Sequence, residues 1–419
     1  MKNKLYRILR RSEKYTKTDM AYLASGGFWL TFGQVISAAA TFGLAIAFAN
    51  LLPKETYGTY KFVLSIAGVL SVFALPGMMT SLTQAVARGF EGSTTPALRA
   101  RLQWGTLGGL ASLGVAGYYF VSGNLTLAVS FLIVAAFLPL MDAFGIYEGL
   151  LTGKKRFREL STYSLAQKLV SVALMVGTMF ATTNLSLILL SYFMPYAVLR
   201  YLFFRHTVKK YQQNASVDPE AVAYGKHLSL MSVVGPIANN LDKILLFHFL
   251  GAAPLAVYTI AIAPPEQLKG ILKNINILAL PKFSERSLGE IYAGMKNKVW
   301  KFGLLLIAVS LIYILIAPAI FRIFFPQYLE SIPYSQVFSL SIVAVLLFLP
   351  LSVLQAHKRT KELYKFNIAT AAFQTILYLV LVPLYGLWGA IAAWMIGRIF
   401  NLGYSFFLMY RLRSQSTTH

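Results

Sequence analysis

The stretch Met231–Asn274, MSVVGPIANNLDKILLFHFLGAAPLAVYTIAIAPPEQLKGILKN, decides the fold class of this chain. Its two long apolar runs meet at a short uncharged turn, Gly251–Pro254. Pro264-Pro265 lies near the middle of the second run. Because proline removes a backbone donor and clashes with the preceding turn, the pair predicts a kink or break in that helix. Broken helices at mid-membrane depth are typical of a transporter's substrate path.

Charged residues lie inside these runs, far from any loop: Asp242, Lys243, Glu266, Lys269 and Lys273. A charge within a membrane span costs roughly 2.5–3.5 kcal/mol, so it tends to face a protein interior or a watery cavity. Glu266, Lys269 and Lys273 share one helix face, which predicts a cationic stripe along a cleft. Alternatively, the two lysines extend to the headgroups and Glu266 pairs with Lys269. Asp242 and Lys243 point about 100° apart, so we expect them to be poor partners and at least one to face the cleft.

The composition predicts an all-α integral membrane protein. The 419 residues are 57% hydrophobic and only 13% charged, against about 25% charged in soluble proteins. The absence of cysteine excludes disulfides and thiolate metal sites. The basic, polar N-terminus does not resemble a cleavable signal peptide. With no phosphate-binding loop motif and no metal-ligand spacing, we expect no cofactor, and an ion gradient, the membrane potential or the substrate's own gradient as energy source.

Twelve transmembrane spans follow from apolar runs of about 20 residues. They are numbered 1 to 12 and cover residues 25–49, 58–80, 103–121, 125–149, 160–181, 185–205, 228–250, 255–280, 299–320, 334–356, 366–384 and 387–409. Thirty of the 38 Lys and Arg residues lie at the termini or in loops after even-numbered spans, whereas the alternate loops hold only Lys54 and Arg322. This alternation predicts that both termini are cytoplasmic. The net charge of +23 is thus explained by the orientation of the spans in the membrane, which argues against nucleic-acid binding.

The chain contains an internal repeat. LLTGKKRFREL (150–160) corresponds to VLQAHKRTKEL (353–363), and NLLPKETYGTY (50–60) corresponds to HFLGAAPLAVY (248–258). Six spans per half give parallel repeats, and two such bundles leave a cleft between them. The predicted division is a basic N-terminal segment, a six-helix bundle, a linker, a second six-helix bundle and a tail, at residues 1–24, 25–206, 207–227, 228–410 and 411–419.

The in-span charges have a positive excess that suits an anionic cargo, such as a pyrophosphate or an acidic sugar. They are Lys61, Lys168, Lys243, Lys269, Lys273 and Arg398 against Asp142, Glu148, Asp242 and Glu266. Arg398 lies too deep to reach the surface easily, so we predict either a role in the cleft or a buried pair with Asp142 or Asp242. Asp142 is also a candidate for protonation. Lys61 and Lys168 lie nearer span ends and are expected to reach the headgroups.

Each half also interrupts its second span with proline, and the candidate hinge residues are Pro76, Gly77, Pro264 and Pro265. The candidate substrate-binding residues are Lys243, Lys269, Lys273 and Arg398. The candidate ion-coupling residues are Asp142, Asp242 and Glu266.

Four segments carry a resemblance to a known family: LLPKETYGTYKF (51–62), LLTGKKRFREL (150–160), NNLDKILLFHFLGAAPLAVYTIA (239–261) and PLYGLWGAIAAWMIGRI (383–399). The chain resembles Wzx-type polysaccharide-unit flippases of the multidrug/oligosaccharidyl-lipid/polysaccharide (MOP) exporter superfamily. The resemblance implies a V-shaped pair of six-helix bundles in the bacterial inner membrane. It also implies a cleft lined with cations.

The activity implied by this resemblance is export of undecaprenyl-pyrophosphate-linked oligosaccharide to the outer leaflet by alternating access, without enzymatic chemistry. It implies membrane lipids, a proton or sodium ion, a polysaccharide polymerase and a chain-length regulator as candidate partners, and a monomer. Two alternatives remain open. One is an ion-coupled drug or metabolite antiporter of the same superfamily, for which a carboxylate excess is expected. The other is a membrane polymerase or ligase, for which a large outward loop is expected.

Overall fold

The computed structural model describes residues 20–277, 288–347, 350–351, 353–354 and 360–416, and side chains within 33–270, 299–347, 350–351, 353–354 and 362–411. These residues are helical throughout, apart from short connections, and contain no strand. The helical bounds of spans 1–6 are Met20–Leu51, Lys54–Leu70 with Gly77–Ala87, Thr94–Val121, Leu125–Phe144 with Tyr147–Gly153, Phe157–Ala181 and Leu185–Tyr211. The bounds of spans 7–12 are Ala221–Met231 with Val234–Ala238 and Leu241–Leu250, Ala252–Ile277, Leu288–Phe324, Pro326–Leu347, and Thr360–Ser416, which contains two spans.

The part of the chain that the structure describes contains helices for twelve membrane spans, as predicted. Within the described residues, nine continuous helical segments are long and apolar enough to cross a bilayer. Thr94–Val121 and Ala252–Ile277 supply two more helices of spanning length. The last segment is divided at Gly386, whose positive φ of 58° ends one helix and starts the next.

The two predicted proline interruptions have different outcomes. Span 2 is interrupted: its first helix ends at Leu70, Leu75 has a φ of 52°, and a new helix starts at Gly77. Span 8 is not interrupted, because the helix Ala252–Ile277 runs through Pro264 and Pro265. The expected break in span 8 is therefore wrong. Both prolines are buried, and packing of the helix against its neighbours maintains its path where hydrogen bonds are lost.

The halves meet along spans 2 and 8, which occupy equivalent positions in the internal repeat. A side chain at Gly58 would overlap the backbone carbonyl of Ala252. One helical turn further along, the rings of Phe62 and Phe247 stack with centroids 3.9 Å apart. On the predicted outer side, Lys54 Nζ lies 2.5 Å from a Glu330 carboxylate oxygen. Glycine therefore allows the two halves to approach closely near their predicted outer ends.

On the predicted inner side, the linker between the halves is bound to the loop after span 2. Buried Glu91 pairs with Lys154 and accepts hydrogen bonds from the backbone N–H groups of Gln213 and Asn214. Burial would raise the pKa of the Glu91 carboxyl, but these contacts hold the pKa below its ordinary value. Glu91 thus fixes the linker as an ionised carboxylate.

Candidate functional site

The site is built on span 7, which is divided into three helices. Asn239 and Asn240 separate Val234–Ala238 from Leu241–Leu250, and the Asn240 side chain donates to the Pro236 carbonyl at 2.8 Å. Side-chain amides that bond nearby backbone groups compete with helix continuation. Asp242 and Lys243 therefore lie in the first turn of a new helix in the middle of the span.

A cavity of about 920 Å³ lies within the second half, between spans 7, 8, 10, 11 and 12. Four of the predicted charged residues line it: Asp242, Lys243, Glu266 and Arg398. We predicted that these charges face a cleft between the halves. That orientation stays a prediction; the residues that line this cavity all belong to the second half. The lining also includes aromatic rings and side-chain amides, so the surface is mixed in character.

Asp242 and Lys243 pair with each other, which corrects the prediction that they would be poor partners. Lys243 Nζ lies 3.3 Å from Asp242 Oδ1 and donates to the Asn239 carbonyl at 3.1 Å. The Tyr258 hydroxyl donates to Asp242 Oδ2 at 2.9 Å. The long lysine side chain bridges the angular separation, and the helix break exposes the Asn239 carbonyl to it. Asp242 is only 5% exposed.

Lys269 is buried, pairs with the partly exposed carboxylate of Glu266 and does not line the cavity, which corrects the predicted cationic stripe. Its Nζ lies 4.7 Å from the ring centroid of Phe338 and 4.1 Å from that of Trp394. These rings stabilise the ammonium group by cation–π attraction. The side chain of Lys273 lies outside those that the structure describes.

Arg398 packs over Trp394, one of the two rings that Lys269 contacts. Its guanidinium carbon is 4.5 Å from the Trp394 ring centroid, and its Nε is buried without an acceptor. Neither Asp142 nor Asp242 pairs with it; within the described part of the chain, Arg398 has no carboxylate oxygen within 4.0 Å. The predicted ion pair of Arg398 is therefore wrong, and a role in the cavity remains a proposal.

Asp142 belongs to a separate charged cluster in the first half. Arg200 lies 3.7 Å from both Asp142 and Glu148 and donates to the Met141 carbonyl at 3.0 Å. Arg101 is buried beside this group, with Nε and Nη1 lacking acceptors. The predicted spans leave Arg101 in the cytoplasmic loop before span 3, so its burial is a finding, whereas Arg200 lies within the predicted span 6 and is partly exposed. Thr94 and Pro96 were a detectable helix-start signal that would have placed Arg101 inside span 3.

A third group consists of lysines from three spans: Lys61, Lys168 and Lys243, here called the lysine cluster. Lys61 lies within electrostatic range of both Lys168 and Lys243. Neither Lys61 nor Lys168 has a carboxylate within 4.0 Å among the described residues. We predicted that Lys61 and Lys168 would reach the headgroups. That stays a prediction; Lys61 also lies within electrostatic range of Lys243 in the other half, since span 2 packs against spans 7 and 8.

Residues 23–287 match the model of a family described as polysaccharide biosynthesis protein. The chain belongs to this family. A search of curated proteins gives no match.

Several solved structures with a similar fold are described as membrane flippases or transporters. A lipid II flippase, MurJ, in an inward-closed conformation has a TM-score of 0.70 at 14% identity, over 90% of this chain and 86% of that one. An inward-facing multidrug resistance MATE transporter of the MOP superfamily has a TM-score of 0.68 at 13% identity, over 91% of this chain and 96% of that one. A MOP superfamily transporter from Pyrococcus furiosus with a binding pocket of reverse polarity has a TM-score of 0.60 at 14% identity, over 93% of this chain and 96% of that one.

At these identities the likeness establishes the fold, which is that of a MOP transporter. The chain is therefore a multi-pass membrane protein of the polysaccharide biosynthesis family, built as two six-helix halves.

Proposed function

We propose that this protein is a flippase that moves undecaprenyl-diphosphate-linked polysaccharide repeat units from the inner to the outer leaflet of the bacterial inner membrane. The family match and the fold support a transporter in polysaccharide biosynthesis. The observation that carries the choice of cargo is the lysine cluster, because an excess of cations over carboxylates within a membrane protein favours an anionic ligand.

The charge of the lysine cluster fits a diphosphate. Three lysines with the single paired carboxylate of Asp242 leave two net positive charges. A diphosphate diester carries about one negative charge on each phosphate. Lysine is an effective phosphate ligand as a point charge. Binding the diphosphate relieves the mutual repulsion of the lysines.

The proposed transport cycle has three parts. The lysine cluster holds the diphosphate while the sugars occupy the cavity and the lipid tail remains in the bilayer. The first bundle, 25–206, and the second bundle, 228–410, then rock about the site, and the linker 207–227 joins them. The interruption at Pro76 and Gly77 provides one bending point, and Pro264 and Pro265 remain a second candidate within a continuous helix.

Asp242 is the best candidate for ion coupling. Its carboxylate holds Lys243, so a proton or sodium ion on Asp242 would release Lys243 to the diphosphate. Asp142 and Glu266 are each paired with a basic side chain outside the lysine cluster. In the proposed topology both termini are cytoplasmic, and a polymerase receives the delivered units.

The experiment that tests this proposal measures the leaflet in which lipid-linked oligosaccharide accumulates in cells that lack the protein. We expect units trapped on the inner leaflet and loss of surface polysaccharide. Normal delivery to the outer leaflet would refute the flippase and redirect attention to small-molecule antiport. Units that are delivered but not polymerised would instead indicate a polymerase.

A further inference from the structure

The predicted inner ends of spans 5 and 6 form a basic patch around one buried tyrosine. Tyr211 is 7% exposed, and its hydroxyl donates to Glu159 Oε1 at 3.1 Å. The Arg156 guanidinium carbon and the Lys210 Nζ each lie 5.3 Å from the centroid of the Tyr211 ring. Because both distances end on the same ring, the two cations are at most twice 5.3 Å apart. Tyr211, Arg156 and Lys210 are here called the Tyr211 patch.

Both cations of the Tyr211 patch are held in place by the surrounding fold. Arg156 directly precedes the helix of span 5, and its backbone N–H donates to the Leu151 carbonyl at 2.8 Å, which closes the turn from span 4. Lys210 lies in the last turn of span 6, where the helix dipole stabilises a positive charge. Cation–π attraction to the Tyr211 ring then orients both side chains. The two charged groups therefore occupy positions that packing defines.

The two cations are exposed, and no carboxylate of the described residues pairs with them. Neither Arg156 nor Lys210 has a carboxylate oxygen within 4.0 Å in that part of the chain. The neighbouring Lys154 differs, because it pairs with buried Glu91. Exposed cations with fixed positions favour an anionic ligand that binds from outside the protein.

The position of the Tyr211 patch selects a membrane lipid as this ligand. Spans 5 and 6 meet the membrane surface here, on the side that the distribution of Lys and Arg predicts to be cytoplasmic. The patch therefore lies at the depth of the lipid headgroups, where Lys and Arg attract anionic lipids. A guanidinium binds phosphate with two hydrogen bonds and an ammonium group binds it as a point charge. Two such cations on one ring fit a lipid that carries two linked phosphates.

We propose that the Tyr211 patch binds an inner-leaflet phospholipid with two phosphate groups, one on Arg156 and the other on Lys210. The bound lipid joins the start of span 5 to the end of span 6, at the point where the linker between the halves begins. It therefore stabilises the first bundle beside the linker. This proposal is independent of the proposed function, because it holds for any cargo.

The test measures the melting temperature of the purified full-length protein in a neutral detergent as cardiolipin, a phospholipid with two phosphates, is added. We expect cardiolipin to stabilise the wild-type protein. Arg156→Gln/Lys210→Gln should raise the concentration needed for half of this effect by about 10- to 30-fold, the factor that two surface cations supply. The matched control is Arg99→Gln/Lys226→Gln, which removes two other exposed cations, one of them 5.9 Å from a tryptophan ring centroid. We expect this control to keep the wild-type response.

A second variant, Arg156→Lys/Lys210→Arg, exchanges the two cations and should retain most of the affinity for cardiolipin. Equal weakening in the two glutamine variants would overturn the site, because the lipid would then respond to net charge alone. Stabilisation of the wild-type protein by inorganic diphosphate as strong as that by cardiolipin would also overturn it, since the ligand would be a free anion. Tighter binding of undecaprenyl diphosphate than of cardiolipin would instead assign the patch to the cargo.

Discussion

The charged cluster of the first half and the lysine cluster differ in how their charges are compensated. In the first half, Arg200 bridges Asp142 and Glu148, and buried Arg101 completes a group with two positive and two negative charges. The lysine cluster has three positive charges and one carboxylate partner, Asp242. A cluster in which positive and negative charges are equal in number holds helices together, whereas a cluster with excess positive charge can bind an anionic ligand. The sign balance of each cluster, rather than the presence of charge, indicates its role.

The largest predicted effect on stability comes from breaking the balanced cluster. Arg200→Met leaves Asp142 and Glu148 without their partner. We expect a loss of about 3–5 kcal/mol, because removing one member of a buried pair leaves an uncompensated charge. Thermal unfolding of the purified protein measures the loss, and Arg200→Lys should retain part of the stability. An unchanged melting temperature in Arg200→Met would remove the distinction between the two clusters.

Glu91 is a second buried carboxylate that is paired with a basic side chain, and its contribution to stability should depend on pH. Glu91→Gln should cost about 1–3 kcal/mol at neutral pH, because buried contacts to a charged group are lost. The folded-state pKa of Glu91 lies below its ordinary value, so its contribution is present above the unfolded-state pKa and is lost as the pH falls through the folded-state pKa. Melting curves of the wild-type and variant proteins should therefore converge as the pH falls through the lowered folded-state pKa of Glu91. Divergence in acid would contradict this sign.

The contact between the halves can be disrupted by a substitution that changes no charged residue. Gly58→Leu should prevent close approach to Ala252 and expose buried Ser331, which follows Glu330, the residue that pairs with Lys54 across the halves. The chain has no cysteine, so Ser331→Cys can be labelled without background. We expect labelling about tenfold faster in the Gly58→Leu background, the factor supplied by 1.4 kcal/mol.

The control for this prediction is Gly43→Leu, since a side chain at Gly43 meets no atom within 4 Å. Equal labelling in both backgrounds would mean that the contact at Gly58 does not hold the halves together.

The smallest predicted effect on stability comes from the unbalanced cluster. Lys61→Met removes a cation that faces two other lysines. We expect the free energy of unfolding to stay constant or to rise by about 1 kcal/mol or less. Transport of a lipid-linked oligosaccharide should nevertheless fall. Destabilisation as large as that of Arg200→Met would show that Lys61 has a structural role.

The sequence predicted the spans and the break at Pro76 because both depend on local features, namely apolar length and proline. The pairing of Asp242 with Lys243 depends on the break at Asn239 and Asn240, which periodicity does not reveal. The approach of Lys61 to Lys243 depends on packing between the halves.

Two further differences between the predicted and the observed structure can be explained. Arg101 was misplaced because the loop rich in basic residues concealed an early helix start. The helix around Pro264 and Pro265 continues because tertiary packing overrides local preference.

The most direct test of the central claim is transport of an undecaprenyl-diphosphate oligosaccharide by the reconstituted Lys61→Gln/Lys168→Gln variant. The control is Lys209→Gln, which removes an exposed lysine outside the cluster. We predict at least about a tenfold loss of transport in the double variant, from lost charge-assisted contacts to the diphosphate, and wild-type rates in the control. Wild-type transport by the double variant would contradict the claim that the lysine cluster binds the cargo.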